Sequence, residues 1–252
     1  ILVGDVEPTR FPGERVLGIE WAERPAPQAD ALKLFDEGQY ADALTSLIGV
    51  ITDKDATPRP PVWQQQRLSM LAAQAAWRGG RGEVSLELVE QLDRRPLPTL
   101  VWGLLPINWI GSVSSQSIQN VAAERAKSDS LAVKLVAASW LIRSPRYGEA
   151  AESAINRLAK LDAPVISELA QQLRWRIITP VELRSEWQRW ESEIDALPMP
   201  IQSGPRLALE SALRSAGIKD AARRQELILE TAAPVWHPDL PAKDSQEPFL
   251  TR

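Results

Sequence analysis

Paired helical patterns around short glycine turns are the feature that most constrains the fold of this chain. Residues 34–48 read LFDEGQYADALTSLI. In and just before this stretch, apolar or small side chains recur at helical spacing on both sides of Gly38: Ala31, Leu34, Phe35, Ala43, Leu44 and Leu47. Gly38 suits the left-handed backbone conformation that ends a helix. The stretch therefore predicts two helices packed as a hairpin.

The same arrangement recurs along the chain. A second glycine turn, at Gly80, follows Gly38 by 42 positions. Later breaks between two helical patterns follow in this order: residues 144–147 (SPRY), Thr179–Pro180 and Gly217. A unit of two helices that repeats about every 35 to 45 residues is typical of an α-solenoid. We therefore predict an all-α fold of about five helix hairpins over residues 25–235.

The first hairpin resembles a tetratricopeptide repeat (TPR). The offsets of that repeat are matched by small and large side chains, a G-x-Y pair and a later proline: Ala31, Leu34, Gly38, Tyr40, Ala43, Leu47 and Pro58. The third hairpin keeps most of these offsets, with Pro145 where glycine is usual, and the others are more degenerate. The chain is also similar to bacterial proteins, abundant in planctomycetes, that join a short β segment to degenerate repeats. That resemblance implies a helical-repeat fold without an established activity. The sequence does not fix the compartment, and a bacterial periplasm or cell envelope is favoured over the cytoplasm.

Residues 1–24 break the helical pattern. Leu17, Ile19 and Trp21 stand at alternate positions, which is the period-two pattern of a β-strand. A short segment of this kind either packs on the first helices or pairs with a strand of another chain. Because the sequence begins with isoleucine, we expect a processed or truncated start. At the other end, residues 236–252 are expected to form an irregular tail.

A second break is the stretch from residue 96 to residue 123, which contains no charged side chain in a chain where 25% of residues are charged. Its prolines are expected to prevent another helix there. One interpretation is a buried, irregular connector between the second and third hairpins. The other is an exposed apolar patch for a partner. Together with the β segment, this stretch supplies the candidate partner-binding residues: Trp102, Ile107, Trp109, Ile110, Leu17, Ile19 and Trp21.

Other aromatic and arginine-rich stretches fit the helical pattern. Half of the ten tryptophans lie within predicted helical patterns, which indicates burial: Trp77, Trp140, Trp175, Trp187 and Trp190. The RGGRG stretch, residues 78–82, resembles an RNA-binding segment but joins two helical patterns. We therefore predict that it is a hairpin turn.

The residues needed for several kinds of chemistry are missing from the sequence. There is no cysteine and a single histidine, His237, so the usual transition-metal sites cannot be assembled within one chain. Neither a G-x-G-x-x-G nor a G-x-x-x-x-G-K-[ST] phosphate-binding motif is present. We therefore expect no metal, no cofactor and no catalytic residue.

Charge and hydropathy narrow the classes of partner. The net charge is -4, so no general positive field attracts a phosphate backbone, and nucleic acid is not an expected partner. No apolar run of about 18 residues is present, so no transmembrane segment is expected. The remaining partners are another protein or a second copy of this chain.

These observations favour a non-enzymatic scaffold that binds a partner protein through helical-repeat surfaces. The concave face of the stacked hairpins is the expected binding surface. Two alternatives stay open. One is a structural subunit of a bacterial cell-envelope assembly. The other is an enzyme that uses carboxylates, although a solenoid offers a groove more readily than a closed pocket.

Overall fold

The computed structural model describes residues 25–55, 60–111 and 114–231. Every regular element in these ranges is helical, which confirms the predicted all-α class. The β segment predicted within residues 1–24 and the tail predicted at 236–252 lie outside the described residues.

The described residues form twelve α-helices and a short 3-10 turn. In chain order they are α1 Ala26–Asp36, α2 Tyr40–Thr52, α3 Val62–Arg78, α4 Gly82–Asp93, α5 Thr99–Trp102, α6 Gln116–Arg125, α7 Leu131–Leu141, α8 Gly148–Leu158, α9 Pro164–Arg174, α10 Pro180–Asp195, the 3-10 turn Met199–Ile201, α11 Ser203–Ser215 and α12 Lys219–Thr231. Most of these helices are longer than two turns, and only α5 is a single turn.

Most helices that are neighbours in sequence are also neighbours in space. Helix α1 packs on α2, α2 on α3, and α3 on α4, and the row continues through α7, α8 and α9 to α11 and α12. Helices α9 and α10 meet through large side chains. Trp175 stacks on Trp190 with ring centroids 5.7 Å apart, and the Trp190 indole N–H donates to Gln172 at 2.9 Å. The buried apolar residues form one cluster along the whole row.

Three helices end in the glycine geometry that the sequence predicts. Gly38, Gly80 and Gly217 have φ values of 75°, 77° and 76°. The residue after each glycine donates its backbone N–H to the carbonyl five positions earlier: Gln39 to Leu34, Arg81 to Ala76 and Ile218 to Leu213. This pairing is the Schellman motif, which satisfies carbonyls at the end of a helix. The predicted turns at Gly38 and in RGGRG are therefore confirmed.

Replacing Gly38 with alanine is expected to lower the free energy of unfolding by about 1 kcal/mol, because a side chain resists positive φ. A Cβ at Gly38 would meet nothing within 4 Å, so the cost is conformational alone. The matched control is Gly49→Ala. Gly49 also has open space around its Cβ position but lies inside α2, where alanine stabilises by up to about 1 kcal/mol. Urea denaturation measures both, and an unchanged midpoint for Gly38→Ala would contradict the left-handed turn.

The prediction that residues 96–123 contain no helix is wrong. The segment includes α5 and the first two turns of α6. Ser115 begins α6, and its hydroxyl accepts the backbone N–H of Ile118 at 3.4 Å. No proline follows Pro106 within the segment, so nothing prevents helix formation there. Helix α6 packs on α4 and α7 and is thus an additional helix between the second and third hairpins.

Candidate functional site

Residues 96–111, here called the connector, pass through the interior of the molecule. Leu104, Leu105, Ile107 and Trp109 are each at most 2% exposed. Apart from α5, this backbone is not helical, so its N–H and C=O groups need partners from elsewhere.

Side chains from the surrounding helices supply those partners. They donate to connector carbonyls as follows: Gln66 to Pro96, Gln74 to Leu104 and Leu105, Trp140 to Pro106, and Arg176 to Asn108. The Trp140 bond is 2.7 Å long. In the other direction, the backbone N–H of Asn108 donates to the Ser139 hydroxyl at 3.1 Å. These bonds allow irregular backbone to lie in a core, because buried polar groups remain paired.

The connector contacts the first helix of successive hairpins. Helix α3 supplies the two glutamines, α7 supplies Ser139 and Trp140, and Arg176 follows α9. Helix α11 supplies Gly204, whose backbone lies so close to the Trp109 indole that a Cβ would overlap the ring. The connector therefore covers the face that these helices share. A partner segment could reach this face only by displacing part of the chain itself.

The candidate residues predicted in this segment differ in their exposure to solvent. Ile107 and Trp109 are core residues, so the interpretation of these two as surface anchors is wrong. Trp102 is half-buried and packs against the core. Ile110 is 48% exposed. The remaining candidates, Leu17, Ile19 and Trp21, lie outside the described residues.

Ile110 stands in an open groove of about 380 Å³ where the connector leaves the core. We call this surface the Ile110 groove. Its lining comes from the start of α2, the end of α3, the connector and the start of α6: Tyr40, Trp77, Arg78, Asn108, Ile110, Ser114 and Ile118. The groove thus combines exposed apolar area with a guanidinium and polar side chains.

Stacking contacts fix the aromatic side chains of the Ile110 groove. The Trp77 ring lies parallel to Trp140, with centroids 5.7 Å apart and 6° between the planes. Tyr40 meets Phe35 edge to face at 5.6 Å. The Arg78 guanidinium lies over both groove rings, 5.7 Å from the Tyr40 centroid and 5.5 Å from that of Trp77. Such cation–π contacts hold the arginine side chain along the aromatic wall.

A second groove, of about 420 Å³, lies on the other side of α6. Alanines in or next to α6, α7 and α8 form most of its wall: Ala123, Ala126, Ala138, Ala150, Ala151 and Ala154. Polar residues in or just after α6 complete this side: Asn120, Glu124 and Lys127. It also includes Leu141 and Tyr147. Both grooves therefore border α6, the helix that the repeat pattern did not predict.

The sequence prediction missed Tyr40, Trp77 and Arg78 as surface residues of one site. Trp77 was expected in the core, but it is half-buried: it stacks on Trp140 and also lines the groove. The sequence did contain a signal that these residues lie together, because equivalent positions of stacked repeats lie at the same end of the molecule. The turn after Gly38 and the end of the next hairpin's first helix therefore bring Tyr40 and Trp77 together.

Other chemistry and comparisons add little to this site. The described ranges contain no group of three or more His, Cys, Asp or Glu side chains placed to hold a metal ion. His237 lies outside them. None of the helices described here is long and apolar enough to cross a membrane.

Comparison of the chain with family models, curated proteins and solved structures finds no match.

Proposed function

We propose that this chain is a non-enzymatic scaffold for protein interaction, built as a TPR-like α-solenoid. The repeat architecture is supported by helices that pack in chain order and by the glycine turns at Gly38, Gly80 and Gly217. The interaction surface is the Ile110 groove rather than a concave face, because the connector already packs against α3, α7 and α11.

The observation that carries this proposal is the exposure of Ile110 beside Tyr40, Trp77 and Arg78. Tryptophan, tyrosine and arginine are the residue types that dominate binding energy at protein interfaces. Here Trp77 and Tyr40 are held by their contacts with neighbouring rings. Little side-chain entropy is therefore lost when a partner covers them.

The groove suits a peptide segment with one large apolar side chain. That side chain would cover Ile110 and lie against the aromatic wall formed by Tyr40 and Trp77. A volume of about 380 Å³ fits a short segment rather than a whole domain.

Replacing Ile110 with serine is expected to weaken peptide binding at least tenfold, on the scale of an interface anchor. The probe is a peptide selected on the wild-type protein from a displayed random library. Because Ile110 is half exposed, the melting temperature should change by no more than about 2 °C. Fluorescence titration measures the affinity and thermal unfolding measures the stability.

The matched control is Val181→Ser. Val181 is also a β-branched residue, 77% exposed, at the start of α10 and outside both grooves. It should leave affinity and stability unchanged. Equal binding by wild type and the Ile110 variant would overturn the assignment of the groove. If wild type self-associates, the same pair of variants tests whether Ile110 forms the contact between copies.

A further inference from the structure

The turns beside the Ile110 groove carry only positive charge. Residues 78–82, 141–148 and 174–181 join α3 to α4, α7 to α8 and α9 to α10, and these three ranges contain no acidic residue. They contain six arginines: Arg78, Arg81, Arg143, Arg146, Arg174 and Arg176. The whole chain has more acidic than basic side chains, 33 against 29, so this excess of positive charge is local.

The α3–α4 turn lies at the groove itself. Arg78 is one of the lining residues, and its guanidinium lies along the aromatic wall. Arg81 is exposed and comes directly before Gly82, where a Cβ would lie 3.5 Å from Ile118, another lining residue. Arg81 is also the N-cap residue of α4, where the helix dipole disfavours a positive charge. Helix stability therefore does not explain an arginine at this position.

Hydrogen bonds place the other two basic turns beside the groove. The Ser114 hydroxyl, part of the lining, donates to the backbone oxygen of Trp140 at 3.2 Å, three residues before the exposed Arg143. Arg176 donates to the backbone oxygen of Asn108, which also lines the groove. The α7–α8 and α9–α10 turns therefore extend the basic surface beyond Arg78.

Acidic side chains do not cancel the charge of these turns. The first acidic residue after each turn lies inside the following helix: Glu83, Glu149 and Glu182. Glu83 pairs with Arg125 at 3.2 Å. Across the groove, the α1–α2 turn carries Asp36 and Glu37. The groove therefore has a basic side, toward α7 and α9, and an acidic side, toward α1.

We propose that the segment bound by the Ile110 groove is an acidic peptide, in which Asp or Glu residues stand on one side of the apolar anchor. This inference rests on the proposed function, because it names the chemistry of the segment that the groove binds. The anchor covers Ile110, and the acidic residues extend toward Arg81 and Arg143. Arginine donates to carboxylates in a fork geometry. Complementary charge also speeds association and disfavours basic segments.

Selection of peptides from a displayed random library on the wild-type protein gives the first test. Selected sequences are expected to contain at least about twice the share of Asp and Glu in the unselected library. The best binder is then compared with a neutral version, in which Asn and Gln replace Asp and Glu. The neutral version should bind at least about fivefold more weakly at about 50 mM sodium chloride, and the difference should shrink at about 500 mM, because salt screens exposed charges.

Variants of the protein assign this difference to the basic turns. Arg81→Gln combined with Arg143→Gln should reduce the difference between the two peptide versions to about twofold or less. Arg94→Gln is the matched control, since Arg94 is also exposed but follows α4, whose 12 residues extend about 18 Å from Arg81. It should keep the full difference. Ile110→Ser should weaken both versions alike, because it removes the apolar contact and no charge.

The outcomes separate this inference from the proposed function. Peptides that lose affinity for the Ile110→Ser variant but show no enrichment in acidic residues would overturn the acidic partner and leave the groove as the binding site. A difference between the two peptide versions that survives in the double arginine variant would also overturn the inference. A library that yields no binder would overturn the proposed function together with it.

Discussion

Replacing Trp109 with serine is expected to lower the free energy of unfolding by about 3 to 5 kcal/mol. The indole is 2% exposed, belongs to the continuous core and lies against Gly204 of α11. Serine would leave a cavity that the surrounding helices can fill only in part. Equilibrium denaturation measures the loss.

The adjacent Ile110→Ser variant is the control for this prediction. It changes the same stretch of backbone but removes a half-exposed side chain, so the unfolding midpoint should stay near that of wild type. Equal stability of the two variants would contradict the separation of a buried Trp109 from an exposed Ile110.

Replacing Gly204 with alanine is expected to cost about 3 kcal/mol, the upper end of the usual penalty for overpacking a core. A Cβ there would come within 2.6 Å of Cδ1 and Cε2 of Trp109, and a rigid ring cannot bend away as a flexible chain would. Gly148→Ala is a suitable comparison, since its nearest obstacle is one backbone oxygen at 3.2 Å. If the Gly204→Ala variant is as stable as wild type, α11 must lie further from the connector than it does in the structure.

The helices and their turns could be predicted from sequence because their signals are local. Apolar spacing around Gly38 and Gly80 defines both the helices and their ends, and the structure has positive φ at both. Ser115 is a similar local signal for the start of α6, but a long uncharged stretch with three prolines obscured it. The prediction for that stretch gave too much weight to composition.

The path of the connector could not be predicted because it depends on contacts between distant residues. Absence of charge correctly indicated that part of the segment is buried, but not which side chains. Trp109 and Ile110 are adjacent large apolar residues, yet one faces Gly204 and the other faces solvent. The donors that hold the connector, such as Gln74 and Trp140, stand about thirty residues away and look like ordinary helix residues.

The most direct measurement of whether the connector is part of the core is a double-mutant cycle between Trp109 and Gly204. Unfolding free energies are compared for wild type, Trp109→Ser, Gly204→Ala and the double variant. Because serine removes the ring that a Cβ would strike, Gly204→Ala should cost almost nothing in the Trp109→Ser background, giving a coupling of about 3 kcal/mol. Strictly additive effects would mean that the two residues do not touch, and would contradict a connector packed against α11.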